Sequence, residues 1–270
     1  MSMRPSRVLR KLRAGDVALS FKINLSDARA VEIAAQTGYD AVWLCHEHVP
    51  NSIRDTESMI WAAKAYDCDT IVRVPRGSYT DYILPLEADA AGIMVPHCMN
   101  GDDARAIARM VRFQPIGMRA CDGGNADGRY CTIPFTEYIE QANRERLVIV
   151  QIEDPEPLDH LDDIIGTDGI DMLLFGPGDF THALGIPAQF DDPRVEDARV
   201  RVVEACKRAG KFAGTVGSPA MVPRYVEMGY QFINISADVI GITSIAASAL
   251  AEARADLPPQ TETKSTSPYK

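Results

Sequence analysis

Two acidic residues stand where two apolar segments of the sequence end. Glu153 closes VIVQIE, and Asp179 follows LLFGPG, 26 positions further along the chain. That interval is about one strand–helix–strand unit, so the two carboxylates would lie side by side on neighbouring parallel strands. Adjacent carboxylates repel each other unless a cation lies between them or one is protonated, and oxygen ligands that leave positions open suit Mg²⁺ or Mn²⁺. The pair therefore predicts a metal site, although either residue taken alone is more often a helix cap or a salt-bridge partner.

Arg73 is a lone charge within IVRVP, a segment of β-branched residues. Burial of an unpaired guanidinium is costly, so Arg73 requires an anionic partner. One interpretation is an internal salt bridge with Glu87 or Asp179. The other, which the strand-end position favours, is a clamp on a substrate oxygen or carboxylate.

Histidines lie near two of the predicted strand ends. His46 and His48 in CHEHVP would share one face of an extended segment, but without the cysteine spacing of a zinc motif they indicate zinc only weakly. His48 lies beyond the strand end, where an acid–base group could reach a substrate. We expect His97 to serve packing or loop hydrogen bonding, and Asp154 to cap the helix that follows it.

The composition is ordinary for a globular protein. Of 270 residues, 46% are hydrophobic and 24% charged, and the net charge of −10 argues against nonspecific nucleic-acid binding. The six cysteines are scattered without a CxxC pair, which favours reduced thiols over disulfides. No apolar run approaches the roughly 20 residues of a membrane span, and the basic N-terminus lacks the apolar centre of a signal peptide. We expect a cytoplasmic protein without nucleic-acid or membrane partners.

Short apolar runs rich in β-forming residues recur along the chain, and most are separated by segments with helical periodicity. The runs are 17–21, 41–45, 70–74, 92–96, 147–153, 171–176, 212–216 and 232–236. Strands that alternate with helices imply a parallel sheet, and eight of them favour a closed (β/α)₈ TIM barrel of the α/β class. In such barrels functional side chains lie at the carboxyl ends of the strands, which is where the polar residues above occur.

The barrel is predicted to be a single domain, residues 1–256, and the polar, proline-rich segment 257–270 a disordered tail. GMRA at 117–120 is interpreted as leading into a long functional loop that contains 121–131, not as a barrel strand. Neither GxGxxG nor GxxxxGK[ST] occurs, so dinucleotide and P-loop sites lose their main support.

Five segments, taken in order, resemble the class II 2-oxo-acid aldolases of the HpcH/HpaI family, metal-dependent enzymes of the pyruvate/phosphoenolpyruvate barrel superfamily. They are WLCHEHVPN, IVRVP, GIMVP, VQIED and LLFGPGDF, and the resemblance covers roughly residues 8–255. It implies an aldehyde-lyase that reversibly cleaves a 4-hydroxy-2-oxo acid to pyruvate and an aldehyde with a divalent ion, Mg²⁺ in preference to Mn²⁺ or Co²⁺. It also implies a homotrimer or homohexamer that exchanges C-terminal helices, and segment 237–255, apolar on more than one face, suits that arrangement.

The resemblance assigns roles to individual residues. It makes Glu153 and Asp179 the metal ligands, with Asp179 also next to the substrate. It places Arg73 on the keto oxygen and makes His48 the catalytic base. The remaining assignments are Glu87 as an acid that works with this histidine through water, Gln151 as a substrate-binding amide, and Gly178 as a backbone N–H for the substrate carboxylate.

The sequence departs from the family pattern at three places. Cys45 stands where the family often has an acid that orients the histidine, Gly178 makes its loop more pliable, and the 121–131 segment lacks the usual arginine and aromatic residues. These departures leave two other functions open. One is a related lyase acting on a CoA thioester or another 2-oxo or dicarboxylic acid, and the other is a non-catalytic ligand-binding protein on the same scaffold.

Overall fold

The computed structural model describes residues 2–255 and 257, over which the chain forms eight strands, eleven α-helices and two 3₁₀ helices. The strands are β1 Ala18–Ile23, β2 Ala41–Cys45, β3 Asp69–Arg73, β4 Gly92–Val95, β5 Leu147–Ile152, β6 Met172–Phe175, β7 Phe212–Val216 and β8 Phe232–Ala237. The α-helices are α1 Arg7–Arg13, α2 Ala28–Gln36, α3 Ile53–Lys64, α4 Tyr79–Glu87, α5 Gly101–Val111, α6 Phe135–Glu145, α7 Leu161–Gly166, α8 Pro177–Ala183, α9 Pro193–Ala209, α10 Val222–Met228 and α11 Asp238–Ala255. The 3₁₀ helices are Glu156–His160 and Pro219–Met221.

The strands close into one parallel barrel in chain order, with β8 pairing back onto β1 through Ala18 and Phe232. The predicted (β/α)₈ fold is therefore confirmed, and each of the eight predicted runs overlaps one strand. Residues 117–120 are not part of the barrel; they lie between α5 and α6. The single-domain boundary at 256 stays a prediction.

Side chains of β5 alternate between the barrel interior and the helical layer, as the period of a strand requires. Leu147 and Ile149 pack inside the barrel, whereas Val148 and Val150 pack against the surrounding helices. Gln151 continues the interior series and lies one residue before the end of β5, at the mouth of the barrel. The change from apolar to polar along one strand thus separates the packed interior from the mouth.

The opposite end of the barrel is closed by α1, whose Val8, Leu9 and Leu12 pack into the interior cluster. Buried Asp69, at the start of β3, holds this helix in place: it accepts hydrogen bonds from the backbone N of Val8 at 2.9 Å and from the hydroxyl of Ser6 at 2.5 Å. The N-terminal end of the barrel is thus a structural face, and the carboxyl end is left for chemistry.

The last helix, α11, is tied to the barrel mainly at its start. Asp238 accepts hydrogen bonds from the backbone N–H groups of Asn24 and Leu25, both at 2.9 Å. Beyond it, large apolar side chains are exposed, with Ile242 at 56% and Ile245 at 73%. The tail predicted for 257–270 lies outside the described residues apart from Leu257. Within the described part of the chain, no helix has both the length and the apolar content needed to cross a membrane.

Candidate active site

Glu153 follows β5 directly and is almost completely buried at the barrel mouth. Its Oε1 accepts a hydrogen bond from the backbone N of His97 at 3.0 Å, and its Oε2 accepts one from Nε2 of Gln151 at 2.9 Å. Both carboxylate oxygens are therefore held in place by neighbouring groups. Oε1 of Gln151 is buried and has no hydrogen-bond partner among the described residues.

Gly176, at the end of β6, gives Glu153 the space that it occupies. A Cβ at position 176 would lie 2.8 Å from Oε2 and 3.0 Å from Cβ of Glu153. Both distances are shorter than normal van der Waals contact, so only glycine lets the β6 backbone pass this close to the carboxylate.

We expect Gly176→Ala to displace the Glu153 carboxylate and weaken divalent-metal binding about 10- to 100-fold, the usual cost of disturbing a ligand's surroundings. Calorimetric titration with Mn²⁺ measures this effect. Gly178→Ala is the matched control, because a Cβ there meets nothing within 4 Å. Equal affinities for the two variants would contradict the prediction.

Asp179 lies in the first turn of α8, directly after β6, and lines the same cavity as Glu153. Burial, together with the negative charge of Asp179, raises the pKa of Glu153 to about 7. Burial and mutual repulsion make the charged form of Glu153 unfavourable. A cation between Glu153 and Asp179 would offset both effects, because it favours charged carboxylates. The site thus fits a divalent ion held by two oxygen ligands.

No cluster of three or more His, Cys, Asp or Glu side chains arranged to hold a metal occurs within residues 2–255 and 257. Two protein carboxylates leave most coordination positions to water and substrate, which is the way Mg²⁺ is commonly bound. The same donor set suits a structural zinc site poorly, since such a site is closed by four protein ligands.

Arg73 ends β3 beside Cys45 of β2. Its Nε lies 3.0 Å from Oε2 of Glu47, and its Nη2 lies 3.2 Å from Sγ of Cys45. The guanidinium carbon is 5.0 Å from the centroid of the Trp43 ring. The salt-bridge partner is therefore Glu47, and neither Glu87 nor Asp179, the partners considered from the sequence, forms that bridge.

His48 is exposed, with 60% of its side chain accessible. Its backbone N donates to Sγ of Cys45 at 3.4 Å, and its Nε2 lies 3.5 Å from Oε2 of Glu47. Glu47 thus stands between His48 and Arg73 and supplies a negative charge to both. Cys45 itself supplies no acid, and the contacts of Glu47 with His48 and Arg73 were not predicted from the sequence.

Glu87 is not brought to His48 within one chain. It is the last residue of α4, a helix that starts near the mouth and runs back toward the opposite face. Two residues later, Asp89 bonds to Arg146 just before β5 begins. The backbone O of Glu87 accepts from the backbone N of Asp127, and its pKa is raised by burial and by the acids of the 121–131 segment, partly offset by Arg119. Its cooperation with His48 stays a prediction.

Asp154 behaves differently from its prediction, whereas His97 makes the kind of loop hydrogen bonds expected of it. Asp154 does not cap the following 3₁₀ helix, which has no side-chain cap; its Oδ2 instead lies 2.8 Å from Nδ1 of His97. His97, expected to serve packing or loop hydrogen bonding, adopts a positive φ of 49°. Its backbone N donates to Oε1 of Glu153 at 3.0 Å, and its Nε2 lies 3.6 Å from the same oxygen. His46 bonds to the Thr56 hydroxyl at 2.6 Å, so it does not pair with His48 as a zinc site.

The groups at the strand ends meet in one cavity of about 570 Å³. One side is formed by Trp43, Arg73, Gln151, Glu153 and the segment 176–179. The other side is formed by residues after β6, on α9 and after β7. A closed barrel with paired carboxylates, an arginine and an amide around such a cavity defines a (β/α)₈ enzyme whose active site lies at the carboxyl ends of its strands.

Comparison with known proteins identifies the kind of enzyme. Residues 21–243 match the model of the HpcH/HpaI aldolase/citrate lyase family. The chain is 30% identical to a 2-keto-3-deoxy-L-rhamnonate aldolase of Salmonella schwarzengrund, over 89% of this chain and 90% of that protein. A solved HpcH/HpaI aldolase/citrate lyase family protein from Burkholderia cenocepacia is 32% identical, with a TM-score of 0.85 over 93% of this chain and 100% of its own. An HpcH/HpaI aldolase from Desulfitobacterium hafniense is 26% identical, with a TM-score of 0.88 over 94% and 98%.

The chain belongs to the HpcH/HpaI aldolase/citrate lyase family. It is an enzyme, a class II aldolase that cleaves a small 2-oxo acid. The two other functions left open by the sequence, a related CoA-thioester or dicarboxylic-acid lyase and a non-catalytic binding protein, are not favoured.

Proposed function

We propose that this enzyme reversibly cleaves a 4-hydroxy-2-oxo acid to pyruvate and an aldehyde, with a divalent metal ion held by Glu153 and Asp179. The observation that carries the proposal is the placement of this carboxylate pair in one cavity with Arg73 and Gln151. Mg²⁺ is the preferred ion, and Mn²⁺ and Co²⁺ are the alternatives. When bound, the ion supplies a Lewis acid that polarises the keto group of the substrate.

In the direction of cleavage the C3–C4 bond breaks. The hydroxyl on C4 loses its proton and becomes the aldehyde carbonyl, while the electron pair of the broken bond forms the enolate of pyruvate. Negative charge then develops on the C2 oxygen, and the guanidinium of Arg73 stabilises it there. A proton finally returns to C3 and gives pyruvate.

The backbone and the amide position the substrate. Gly178 lies at the start of α8, where backbone N–H groups have no partner within the helix and attract anions; its N–H would hold the substrate carboxylate. Gln151 orients Glu153 through its Nε2, which leaves its Oε1 to accept a hydrogen bond from a substrate hydroxyl.

His48 is the proposed base. Its exposed side chain lies with Nε2 3.5 Å from Oε2 of Glu47, and it would take the C4 hydroxyl proton. The same group can return the proton to C3, directly or through water, so one histidine serves both transfers.

Replacing His48 by alanine should lower kcat by about 10²- to 10⁴-fold, the contribution of a positioned acid–base group. Mn²⁺ affinity should be unchanged, because His48 makes no contact with Glu153 or Asp179 within the hydrogen-bond and ion-pair network of the described residues. Steady-state kinetics and calorimetry test the two parts. His46→Gln, which alters the histidine bonded to Thr56, is the control, and equal loss in both variants would remove His48 from the mechanism.

The decisive experiment for the reaction is a screen of aldehydes with pyruvate and Mg²⁺, in which new 4-hydroxy-2-oxo acids are detected by mass. Exchange of the pyruvate methyl hydrogens for deuterium in D₂O, followed by NMR, measures enolate formation without any aldehyde. We expect metal-dependent exchange. Absence of both exchange and condensation would refute the proposed function.

The exposed apolar face of α11 supports a homotrimer or homohexamer in which these helices pack on neighbouring subunits. Ile242 and Ile245 line an apolar groove together with Phe21, Ile33 and other side chains of β1 and α2. Ile242→Glu should therefore shift sedimentation toward a smaller species, whereas Val226→Glu on α10 should not. An unchanged oligomer in the first variant contradicts this arrangement.

All six cysteines are free thiols, and four of them (Cys45, Cys68, Cys98 and Cys206) are buried. Free thiols in this number suit a reducing compartment. A location in the cytoplasm is therefore part of the proposal, and fractionation of cells that express the protein tests it.

A further inference from the structure

A second cavity lies at the end of the barrel opposite the active site. Its volume is about 320 Å³, at the lower end of the range for small-molecule sites, roughly 300–1,000 Å³. It is lined by the chain before α1, the carboxyl end of α3, the turn before β4 and part of the segment 126–132. The proposed chemistry takes place at the other end of the barrel and uses none of these residues.

The cavity is positively charged, although the protein as a whole carries a net charge of −10. Arg4, Lys64 and Arg129 line it, together with one acid, Asp89. Asp89 is shared between Lys64 and the buried Arg146, both of which form ion pairs with it. Arg129 is exposed and has no ion-pair partner among the described residues. Four cations are therefore grouped around one carboxylate of the cavity wall.

A second carboxylate lies behind Arg4, where Asp69 pairs with this arginine at 2.8 Å. Asp69 is fully used within the protein, because the N-terminal segment donates two further hydrogen bonds to it. The next acids pair with arginines that do not line the cavity: Asp67 with Arg10 and Asp127 with Arg119. Four cations and two carboxylates thus leave two positive charges in excess around the cavity.

Two donors of Arg4 have no acceptor. Its Nη1 donates to Oδ1 of Asp69, whereas its Nε and Nη2 are buried without a hydrogen-bond partner among the described residues. Buried donors that lack an acceptor cost free energy, so an acceptor at this place would stabilise the protein. Both donors are enclosed by protein, and binding would therefore include a small turn of the Arg4 side chain toward the cavity that it lines.

Arg129 and Tyr130 form the part of the wall that comes from the 121–131 segment. Both residues have positive φ values, 49° and 54°, which are uncommon for residues other than glycine. The turn is held by the backbone N of Tyr130, which donates to the backbone O of Asn125 at 3.0 Å, and by the Thr132 hydroxyl, which donates to the backbone O of Arg129 at 2.7 Å. Arg129 and Tyr130 are exposed, so their guanidinium and hydroxyl groups are available as donors.

We infer that this cavity is an anion site for a phosphate group, held chiefly by Arg4 and Arg129 with added charge from Lys64. Guanidinium groups match the geometry of phosphate oxygens. A phosphate group carries a charge of about −1.5 to −2 at neutral pH, which balances the two excess positive charges, whereas a single carboxylate would leave one unbalanced. Inorganic phosphate and a small phosphomonoester present the same oxygens to these donors. The inference does not depend on the proposed function.

The site joins segments that are far apart in the sequence, namely the N-terminal segment, α3 and residues 126–132. A ligand that binds only the folded state stabilises it by mass action. Phosphate should therefore raise the Tm of the enzyme as its concentration increases, and the rise should depend on Arg4 and Arg129.

The test is calorimetric titration of the full-length enzyme with inorganic phosphate, once with Mg²⁺ and once with EDTA. We expect one phosphate per subunit with the same affinity in both cases, because the site is remote from the carboxylate pair. Sulfate should compete with phosphate, and acetate should bind about 10-fold more weakly or less. Arg129→Gln should weaken phosphate binding about 10-fold, the lower end for a hydrogen bond to a charged group, because Arg129 is exposed. Arg4→Met should have a larger effect.

Arg109→Gln is the matched control, since it removes the same charge from an exposed arginine that lines a different cavity. Arg73→Met tests the active site as the place of binding and should keep the wild-type affinity for phosphate. No binding, binding that requires the metal, loss of affinity in Arg73→Met, or equal losses in Arg129→Gln and Arg109→Gln would each overturn the inference. If Arg4→Met does not fold, Arg129→Gln decides alone, because it changes an exposed side chain.

Glycerol 2-phosphate distinguishes the two sources of the phosphate group. Affinity equal to or above that of inorganic phosphate, lost in the same Arg129→Gln variant, supports a site for a phosphomonoester. Much weaker binding of the ester, with phosphate binding still dependent on Arg129, supports a site for the free ion.

Discussion

Glu153→Gln should abolish measurable Mn²⁺ binding and lower kcat/KM on the order of 10³-fold, because a Lewis acid contributes several kcal/mol to such a reaction. The substitution changes the shape of the side chain little. The new amide oxygen can still accept from the backbone N of His97, and Gln151 can turn its unpartnered Oε1 toward the new NH₂ group. What it removes is the negative charge that, together with Asp179, holds the cation. Asp179→Asn should have the same effect for the same reason.

Glu156→Gln is the control for this prediction, because Glu156 is an exposed acid three residues further along the chain. Titration calorimetry and the condensation assay, each with and without excess EDTA, measure the two effects. Full activity of the wild type in EDTA, or unchanged Mn²⁺ affinity of Glu153→Gln, contradicts the assignment of the carboxylate pair. Recovery of the EDTA-treated wild type by added Mg²⁺ shows that the loss is due to metal removal.

The fold could be predicted from the sequence because each barrel strand carries a local signal. In β5, Leu147, Ile149 and Gln151 share one face, and the apolar run ends where the strand reaches the mouth. A spacing of one strand–helix–strand unit then places Glu153 and Asp179 on neighbouring strands. Both inferences need only the period of a strand and the regularity of the barrel.

The partners of the site residues could not be predicted in this way. The bridge between Arg73 and Glu47 depends on how the chain turns after Cys45, and the bond between His97 and Asp154 depends on a residue with positive φ after β4. Neither turn has a signature in residue type or spacing. Glu87 ends α4, away from the strand ends in sequence, and its role beside His48 stays a prediction.

Replacing Arg73 should impair enolate formation while leaving metal binding intact. It is buried, and its guanidinium is held by Glu47 on one side and by the thiol of Cys45 on the other. A group fixed in this way needs no rearrangement when charge develops on the keto oxygen, which is the condition under which electrostatic stabilisation is most effective. Its removal should therefore act on the transition state more than on the binding of the metal.

We expect Arg73→Met to lower the rate of pyruvate hydrogen–deuterium exchange and kcat of condensation by about 10²- to 10³-fold, with Mn²⁺ affinity within a few-fold of the wild type. Glu47→Gln combined with Arg73→Met should restore any stability lost, since it removes the carboxylate that the single substitution leaves unpaired, but it should not restore the rate. Arg76→Met is the control, because Arg76 is exposed and pairs with Asp103 at 2.6 Å. An unchanged exchange rate in Arg73→Met would show that the enolate forms without this arginine. Another hydrogen-bond donor at the barrel mouth would then have to stabilise the keto oxygen.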